Sequence, residues 1–481
     1  DGAFAAQPRL EYRHHDGGYR PPGRPRRWAF CSVDLAPART LDRLGLLPLI
    51  RHRNSVLLYS LAIQILRAAV RMASAAGHPK SRRAWRGRIG WEDRLKQADA
   101  DTRLSGRTGD WLHLHRASLG EYEQGAPLLE RWRDRHPERP ILLTFFSPSG
   151  VEGAHATLAD HVDYLPFDTS GAMRRFAAAI SISDTVLVKY ELWPALIQHL
   201  TAHGTRVHLV AARFDAGRHP MSAWGWFIRR HMQALRTILV QDAQSAAVAK
   251  SFGVSTSVMG DPRLDRVASN VLQAPPAQVQ ERLDRIGRWA ASRPLLVVGS
   301  AWPPEWQALA SLQSRNTEWC ILWAPHEVDA GYVTEWAQAG HTARLSAWEE
   351  DSANADEREP SMIILDEIGV LKYAYGLADI AVVGGGWGKG VHNTLEPAAF
   401  GVPVLTGPGI GGFREVQALL QCGAAEVCHT PDSLAERALD WMKDKPKRHR
   451  AGAAGAQWVQ QHVGAAERIV DAIERDGKGG K

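Results

Sequence analysis

Short, almost wholly apolar runs alternate with helical stretches along most of this chain. No other feature limits its possible folds as strongly. Residues 111–114 (WLHL), 141–146 (ILLTFF), 185–188 (TVLV), 206–210 (RVHLV) and 237–240 (TILV) form one series. Residues 294–298, 320–323, 361–365, 380–383 and 402–405 form a second. Strands with no polar face are covered on both faces, and helices between them imply parallel, doubly wound sheets. Helices are predicted near 121–132 and from Gly150 onward. A Pro- and Gln-rich stretch, QAPPAQVQ at 273–280, divides the series. The reading is therefore α/β, with two Rossmann-like domains at 85–270 and 282–481, a linker at 271–281, and a cleft facing the strand ends, where ligands of such sheets bind.

The 481 residues suit two or three domains. A net charge of +6 points to an anionic partner or simply to an arginine-rich background. Four cysteines, Cys31, Cys320, Cys422 and Cys428, include no CxxC pair, so neither a zinc site nor a disulfide framework is indicated. No aromatic-interleaved basic patch supports nucleic-acid binding. Residues 1–54, rich in Arg, Pro and Gly, read as a disordered extension.

Residues 56–66 (VLLYSLAIQIL) begin an apolar helix that Arg67 and Arg71 interrupt. The clean stretch falls short of the ~20 residues that span a bilayer. Leu58, Leu61, Ile65 and Ala69 share one face, which fits a helix lying in a membrane surface or a short single N-terminal anchor. Lys80, Arg82, Arg83, Arg86 and Arg88 follow and would meet anionic headgroups. The segment 55–84 is thus predicted to be a membrane-associated helix with its basic flank. The alternative is a core helix of the first domain.

Candidate chemistry gathers at strand ends. Residues 384–393 (GGGWGKGVHN) follow an apolar strand, and 394–400 (TLEPAAF) read as a helix. Such a turn lets backbone N–H groups approach a phosphate, and the helix dipole favours the anion. His392 and Asn393 add donors, and Glu396 could accept from ribose hydroxyls. The pattern is neither a Walker A loop nor GxGxxG. Glu121, in HRASLGE at 115–121, ends the first strand, where a general base would sit; it could equally complement a helix N-terminus. Glu191, in KYELWP at 189–194, ends another strand, though Pro194 makes a plain helix-start acid the alternative. Residues 145–150 (FFSPSG) offer hydroxyls, and Pro325-His326-Glu327 ends a strand of the second series.

Taken in order, HRASLGEYEQG, LLTFFSPSG, YLPFD, VKYELWP, VQD, GDPRLDRV and GGGWGKGVHNTLEPAAFGVPVLTGP resemble the Kdo transferases, the 3-deoxy-D-manno-oct-2-ulosonic acid transferases of lipopolysaccharide synthesis. The resemblance runs from about Leu57 to the C-terminus. FFSPSG and KYELW are similar to the branch of Bacteroidetes-type bacteria. The resemblance implies a glycosyltransferase-B fold, CMP-Kdo as donor and a tetra-acylated lipid A precursor as acceptor at the cytoplasmic face of the inner membrane. It implies Glu121 as general base and Glu191 as a second acid in the acceptor cleft, with Ser118, Ser147, Ser149 and Lys189 on the acceptor side. Nucleotide contacts would map to Pro325, His326, Ile368, Gly369, Val370, His392, Asn393, Thr394, Leu395 and Glu396. Many members carry Pro-Arg-His-Pro where this chain has Ala324-Pro325-His326-Glu327, so that arginine is missing. No cofactor is implied, and CMP leaves readily enough that no metal is required. The residues alone leave open another glycosyltransferase-B enzyme using a UDP-sugar, or a non-enzymatic basic membrane- or nucleic-acid-binding protein.

Overall fold

The structure, a computed structural model, describes residues 46–478 except 118, 154–157, 219, 223–224, 292, 314–317, 329–330, 339–341, 349–359 and 389. Side chains of 46–54, 119–124, 310–311, 313 and 477–478 also lie outside the description. Most of the extension read at 1–54, Ser118, and the Glu121 side chain therefore fall outside the described residues. Up to Leu57 the described chain is helix alone; one body begins at Leu58.

Two seven-stranded parallel sheets carry that body. The first comprises β1 (Trp111–Arg116), β2 (Ile141–Phe145), β3 (His161–Tyr164), β4 (Ile182–Val188), β5 (Arg206–Ala212), β6 (Thr237–Val240) and β7 (Ser257–Val258), in the order 3-2-1-4-5-6-7. The second comprises β8 (Leu295–Ala301), β9 (Cys320–Pro325), β10 (Thr342–Arg344), β11 (Met362–Ile364), β12 (Ile380–Val383), β13 (Val404–Thr406) and β14 (Ala425–Val427), in the order 10-11-9-8-12-13-14. Every residue of β1, β2, β9 and β12 is buried, as strands covered on both faces require. Chain direction reverses across each sheet at β1, which pairs with β2 and β4, and at β8, which pairs with β9 and β12. Crevices at such switch points, outside the carboxyl ends of the strands, are where doubly wound sheets bind ligands.

Residues 271–281, read as a linker, are helical at both ends. One helix runs Pro262–Leu272 and the next Ala277–Ala290, so only 273–276 is unwound, where Pro275 and Pro276 disfavour helix before them. The last helix, Ala465–Lys478, belongs to the second half by sequence and packs on the first. Ala466, Ile469, Val470 and Ile473 are buried among Leu112, Leu114, Leu129 and Ile141. Asp265 accepts the Gly464 and Ala466 N–H groups at 2.6 and 3.2 Å, fixing where that helix starts. The two carboxyl edges meet through Arg414, which binds Asp242, Asp215 and the Phe214 carbonyl beyond β6 and β5.

The N-terminal helix runs Leu46–Ala75. By length and composition its part Ser55–Ala75, of which the uninterrupted apolar stretch 56–66 is one portion, is long and apolar enough to cross a membrane. Ala68, Ala69, Val70 and Met72 extend the apolar surface past Arg67, and arginine stems can lie along such a surface with their heads in water. From Leu58 on the helix is two-faced. Ile63 is buried, and the Tyr59 hydroxyl donates to Asp168 at 2.7 Å, while Leu58, Leu61 and Ile65 are 67, 58 and 60% exposed. Arg88, read as a headgroup contact, is instead buried. Its guanidinium donates to the Leu165, Phe146 and Ala84 carbonyls and lies 4.7 to 5.0 Å from the rings of Phe146, Phe167 and Tyr164.

Candidate active site

The second sheet builds its switch point from the ends of β8, β9 and β12. Trp302 follows β8, His326 follows β9, and His392 closes the loop after β12. Their rings form a stack: Trp302 to His326 with centroids 4.6 Å apart, and His326 to His392 at 4.4 Å, both within 26° of parallel. The Trp302 indole donates to His392 Nε2 at 3.2 Å, so a neutral His392 carries its proton on Nδ1. His326 is exposed, which leaves the edge of the stack open to a ligand.

The glycines after β12 are there for close packing. A Cβ on Gly384 would lie 2.4 Å from the Ser300 carbonyl oxygen, and one on Gly386 2.5 Å from Gly407. Gly385 has φ +89°, and its Cβ would lie 2.4 Å from the Gly390 oxygen. The Gly388 and Gly390 N–H groups both donate to the Gly385 carbonyl, His392 donates to Gly384, and Gly384 to Gly299. These N–H groups are occupied within the turn, so any backbone N–H it offers an anion comes from its other residues. The helix behind it spans only Leu395–Ala399, ended by Gly401 at φ +75°, so a strong macrodipole is missing. What the loop presents is His392 and the exposed Asn393, whose Oδ1 accepts the Leu395 N–H at 3.1 Å. Thr394, Leu395 and Val370 are buried, so anything they offer a ligand is backbone. Glu396 is half-buried, whereas Ile368 stands 91% exposed beside Gly369 at φ +94°.

One further residue organises this region and was not singled out from the sequence. Glu305, fully buried, accepts the Gly385 N–H at 2.8 Å and the Trp302 N–H at 3.0 Å. It ties the β8 end to the glycine turn, and burial raises its carboxyl above the usual range. In sequence it reads as an ordinary first-turn acid of Pro303–Gln313. The available signal for Trp302 and Glu305 was their place directly after an apolar strand.

At the first sheet's switch point, Glu191 follows β4 and is buried. Its Oε2 accepts the Trp193 indole N–H at 2.7 Å and lies 3.3 Å from His115 Nε2. Trp193 stacks on Phe146 at 5.0 Å, giving an aromatic floor beyond β2. The Ser147 and Ser149 hydroxyls, just after β2, are 3.0 Å apart. Lys189 holds φ +67° and donates its N–H to Val210; Ser300 at the other switch point holds φ +51°. Left-handed backbone costs a side-chain-bearing residue roughly 1 to 2 kcal/mol, and such strain gathers at functional sites. Glu121 lies in the helix Leu119–Arg135, which directly follows β1. Among the described residues, no group of three or more His, Cys, Asp and Glu has the arrangement of a metal site.

Residues 83–266 match the family model described as 3-Deoxy-D-manno-octulosonic-acid transferase (kdotransferase), and 348–458 match that of Glycosyl transferases group 1. The 3-deoxy-D-manno-octulosonic acid transferase of Bordetella pertussis is 28% identical over 388 residues, covering 76% of this chain and 86% of that protein. That of Haemophilus influenzae is 28% identical over 377 residues with the same coverage. Among solved structures, a putative UDP-N-acetylglucosamine 2-epimerase from Listeria monocytogenes superposes with TM-score 0.55 at 12% identity, covering 78% of this chain and 98% of that one. UDP-GlcNAc 2-epimerase from Neisseria meningitidis gives 0.54 at 11%, covering 76 and 99%. These two share the fold: paired Rossmann-like domains in the glycosyltransferase-B arrangement. With two switch points, the ordered motifs and these relatives in agreement, the chain is similar to the Kdo transferases, a family of glycosyltransferases, over about three quarters of its length.

Proposed function

We propose that this protein transfers Kdo from CMP-Kdo to a tetra-acylated lipid A precursor at the cytoplasmic face of the inner membrane. The observation that carries the reading is the pairing of two unlike switch points. An open Trp302–His326–His392 stack lies at one, and the buried carboxylate of Glu191 on an aromatic floor lies at the other. The donor belongs to the second half. Exposed Ile368 and His326 give the nucleotide apolar and aromatic surface, Glu396 accepts from ribose hydroxyls, and His392 and Asn393 donate to the phosphate. The acceptor sugar belongs to the first half, against Phe146, Ser147, Ser149, Lys189 and Glu191.

Chemistry is a single displacement. A glucosamine hydroxyl oxygen attacks the anomeric carbon of Kdo while Glu121 takes its proton. The bond from that carbon to the CMP phosphate oxygen breaks, CMP leaves with the electron pair, and configuration inverts. Donors fixed before the reaction stabilise the leaving anion without reorganising. Glu191 orients the acceptor. The test is mass spectrometry of lipid A precursor incubated with the protein and CMP-Kdo: a product heavier by Kdo is expected. Transfer from UDP-sugars but not from CMP-Kdo would overturn the assignment of the donor.

A further inference from the structure

Beneath the first switch point a buried file of side chains, none of which the reaction above uses, leads up to Glu191. It passes from Thr185 on β4 to His113 on β1, Thr144 on β2, His115 on β1 and finally Glu191. Thr185 Oγ1 lies 3.2 Å from His113 Nδ1, and Thr144 Oγ1 lies 2.8 Å from both His113 Nε2 and His115 Nδ1. His115 Nε2 then faces Glu191 Oε2 at 3.3 Å, an ion-pair distance with off-line geometry. All four inner residues are fully buried. Because side chains two apart on a strand share a face, His113 and His115 both reach the single Thr144 hydroxyl.

The direction of this file is determined by its outer end. An indole N–H can only donate, so Glu191 Oε2 is an acceptor toward Trp193. A bare imidazole nitrogen facing the same oxygen would set lone pair against lone pair, so His115 Nε2 carries hydrogen. Its Nδ1 then accepts the Thr144 O–H, and Thr144 in turn accepts His113 Nε2–H. His113 Nδ1 accepts the Thr185 O–H. His113, Thr144 and His115 each donate once and accept once, and all the dipoles point at Glu191. His113 is neutral in this scheme; burial holds its pKa well below the ordinary histidine value, and His115 adds to that.

We infer that His115 is a positioning residue, locked by Thr144 and His113 in the Nε2–H tautomer so that it aims and holds the Glu191 carboxylate for the acceptor. The inner end stops at Thr185, so the file orients and does not shuttle protons. Among the described residues, Asp168 also interacts electrostatically with His115. It is itself engaged by the Tyr59 hydroxyl at 2.7 Å and by the Ala195 and Leu196 N–H groups at 3.0 and 2.7 Å, which leaves Glu191 as the carboxylate His115 serves.

This inference rests on the proposal that Glu191 orients the acceptor. The test separates the two by reading the tautomer apart from turnover. In full-length protein carrying ¹⁵N-histidine, with the His115 signals assigned by their loss in His115→Gln, we expect a pyrrole-type Nε2 and a pyridine-type Nδ1. Thr144→Val should admit the opposite tautomer. With detergent-dispersed lipid A precursor, Thr144→Val and His115→Phe should lower kcat by ~10- to 100-fold while KM for CMP-Kdo stays within about twofold. His115→Gln, whose amide N–H reaches the position of Nε2–H, should recover part of that loss. The opposite tautomer or an imidazolium in the unaltered protein would overturn the file as drawn. So would folded Thr144→Val and His115→Phe variants with unchanged kcat beside an impaired Glu191→Gln. A fully active Glu191→Gln would instead remove the role of Glu191, with the tautomer signal still deciding the file itself.

Discussion

His326 and His392 lie ring on ring, centroids 4.4 Å apart and 23° from parallel, although one follows β9 and the other closes the loop after β12. The contact brings the ends of β9 and β12, which flank β8, to one surface, and Trp302, which follows β8, meets both rings. The Trp302→Ala variant should weaken CMP binding by about fivefold to tenfold, the scale of one lost aromatic contact. It also frees His392 Nε2 from its indole partner. Calorimetry with CMP measures the effect; an unchanged affinity would place the nucleotide away from the stack.

Two glycines in the same turn should respond differently to one added methyl. Gly385 has φ +89°, and its Cβ would lie 2.4 Å from the Gly390 oxygen and 2.9 Å from His392; around a Gly388 Cβ nothing lies within 4 Å. Gly385→Ala should cost about 1 to 3 kcal/mol of stability and weaken CMP binding. The Gly388→Ala change should leave both nearly unchanged. Thermal unfolding of the pair decides whether packing, as opposed to backbone donation, is what the glycines supply.

Glu305 should make stability depend on pH with a definite sign. Burial raises its carboxyl above the ordinary 4.5, so the folded protein keeps this proton to higher pH than the unfolded chain does. The contribution to stability is therefore greatest below 4.5. It falls as pH rises toward the folded value, and is constant above it. Glutamine cannot titrate, and having one oxygen for two N–H donors it should cost about 1 to 3 kcal/mol. The lead in melting temperature of the natural protein over Glu305→Gln should thus narrow as pH rises through that window. A lead that widens would mean the fold prefers the ionised carboxylate.

Glu121→Gln should lower transfer by ~100- to 10,000-fold while leaving CMP affinity and unfolding unchanged, as loss of a positioned base does. Single-turnover measurement with saturating CMP-Kdo is the check. More than about a tenth of normal turnover would assign the base elsewhere.

The parallel sheets were legible in the sequence because strands covered on both faces must be apolar throughout, and ILLTF or IAVV can hardly read otherwise. Strand-end logic likewise located His326, His392 and Glu191. Partnerships between distant residues were not legible. Glu305 looks like a helix-start acid until the fold brings Gly385 to it, and His113 and His115 look like core histidines until Thr144 of β2 lies beside them. The contacts made by the glycine turn were hidden for a related reason. A run of glycines signals close approach of backbone to something, and here the something is Ser300, Gly390 and Gly407. Arg88 misled because a basic run reads as solvated, whereas the ring of Phe146, Tyr164 and Phe167 that encloses it is assembled only by folding.

The lipid acceptor sets the last prediction. In the reading proposed above, acyl chains keep the acceptor's sugars at headgroup depth, and the first domain works against a bilayer. Leu58, Leu61 and Ile65 are exposed on one face of the N-terminal helix, while Ile63 is buried and Tyr59 anchors to Asp168. The helix is thus held by the body and presents apolar side chains outward, as an interfacial helix does. Changing Leu58, Leu61 and Ile65 together to Ser removes apolar contact without touching the docked face, so folding should survive. Exposed Arg82 and Arg86 remain, each contributing on the order of 1 kcal/mol near anionic lipid, while buried Arg88 contributes nothing there. The triple variant should therefore bind anionic liposomes weakly and lose even that binding at raised salt. Its activity on a deacylated acceptor should match that of the natural protein. Flotation at moderate salt is the measurement, and a triple variant that still rises with the lipid would mean that another surface holds the membrane.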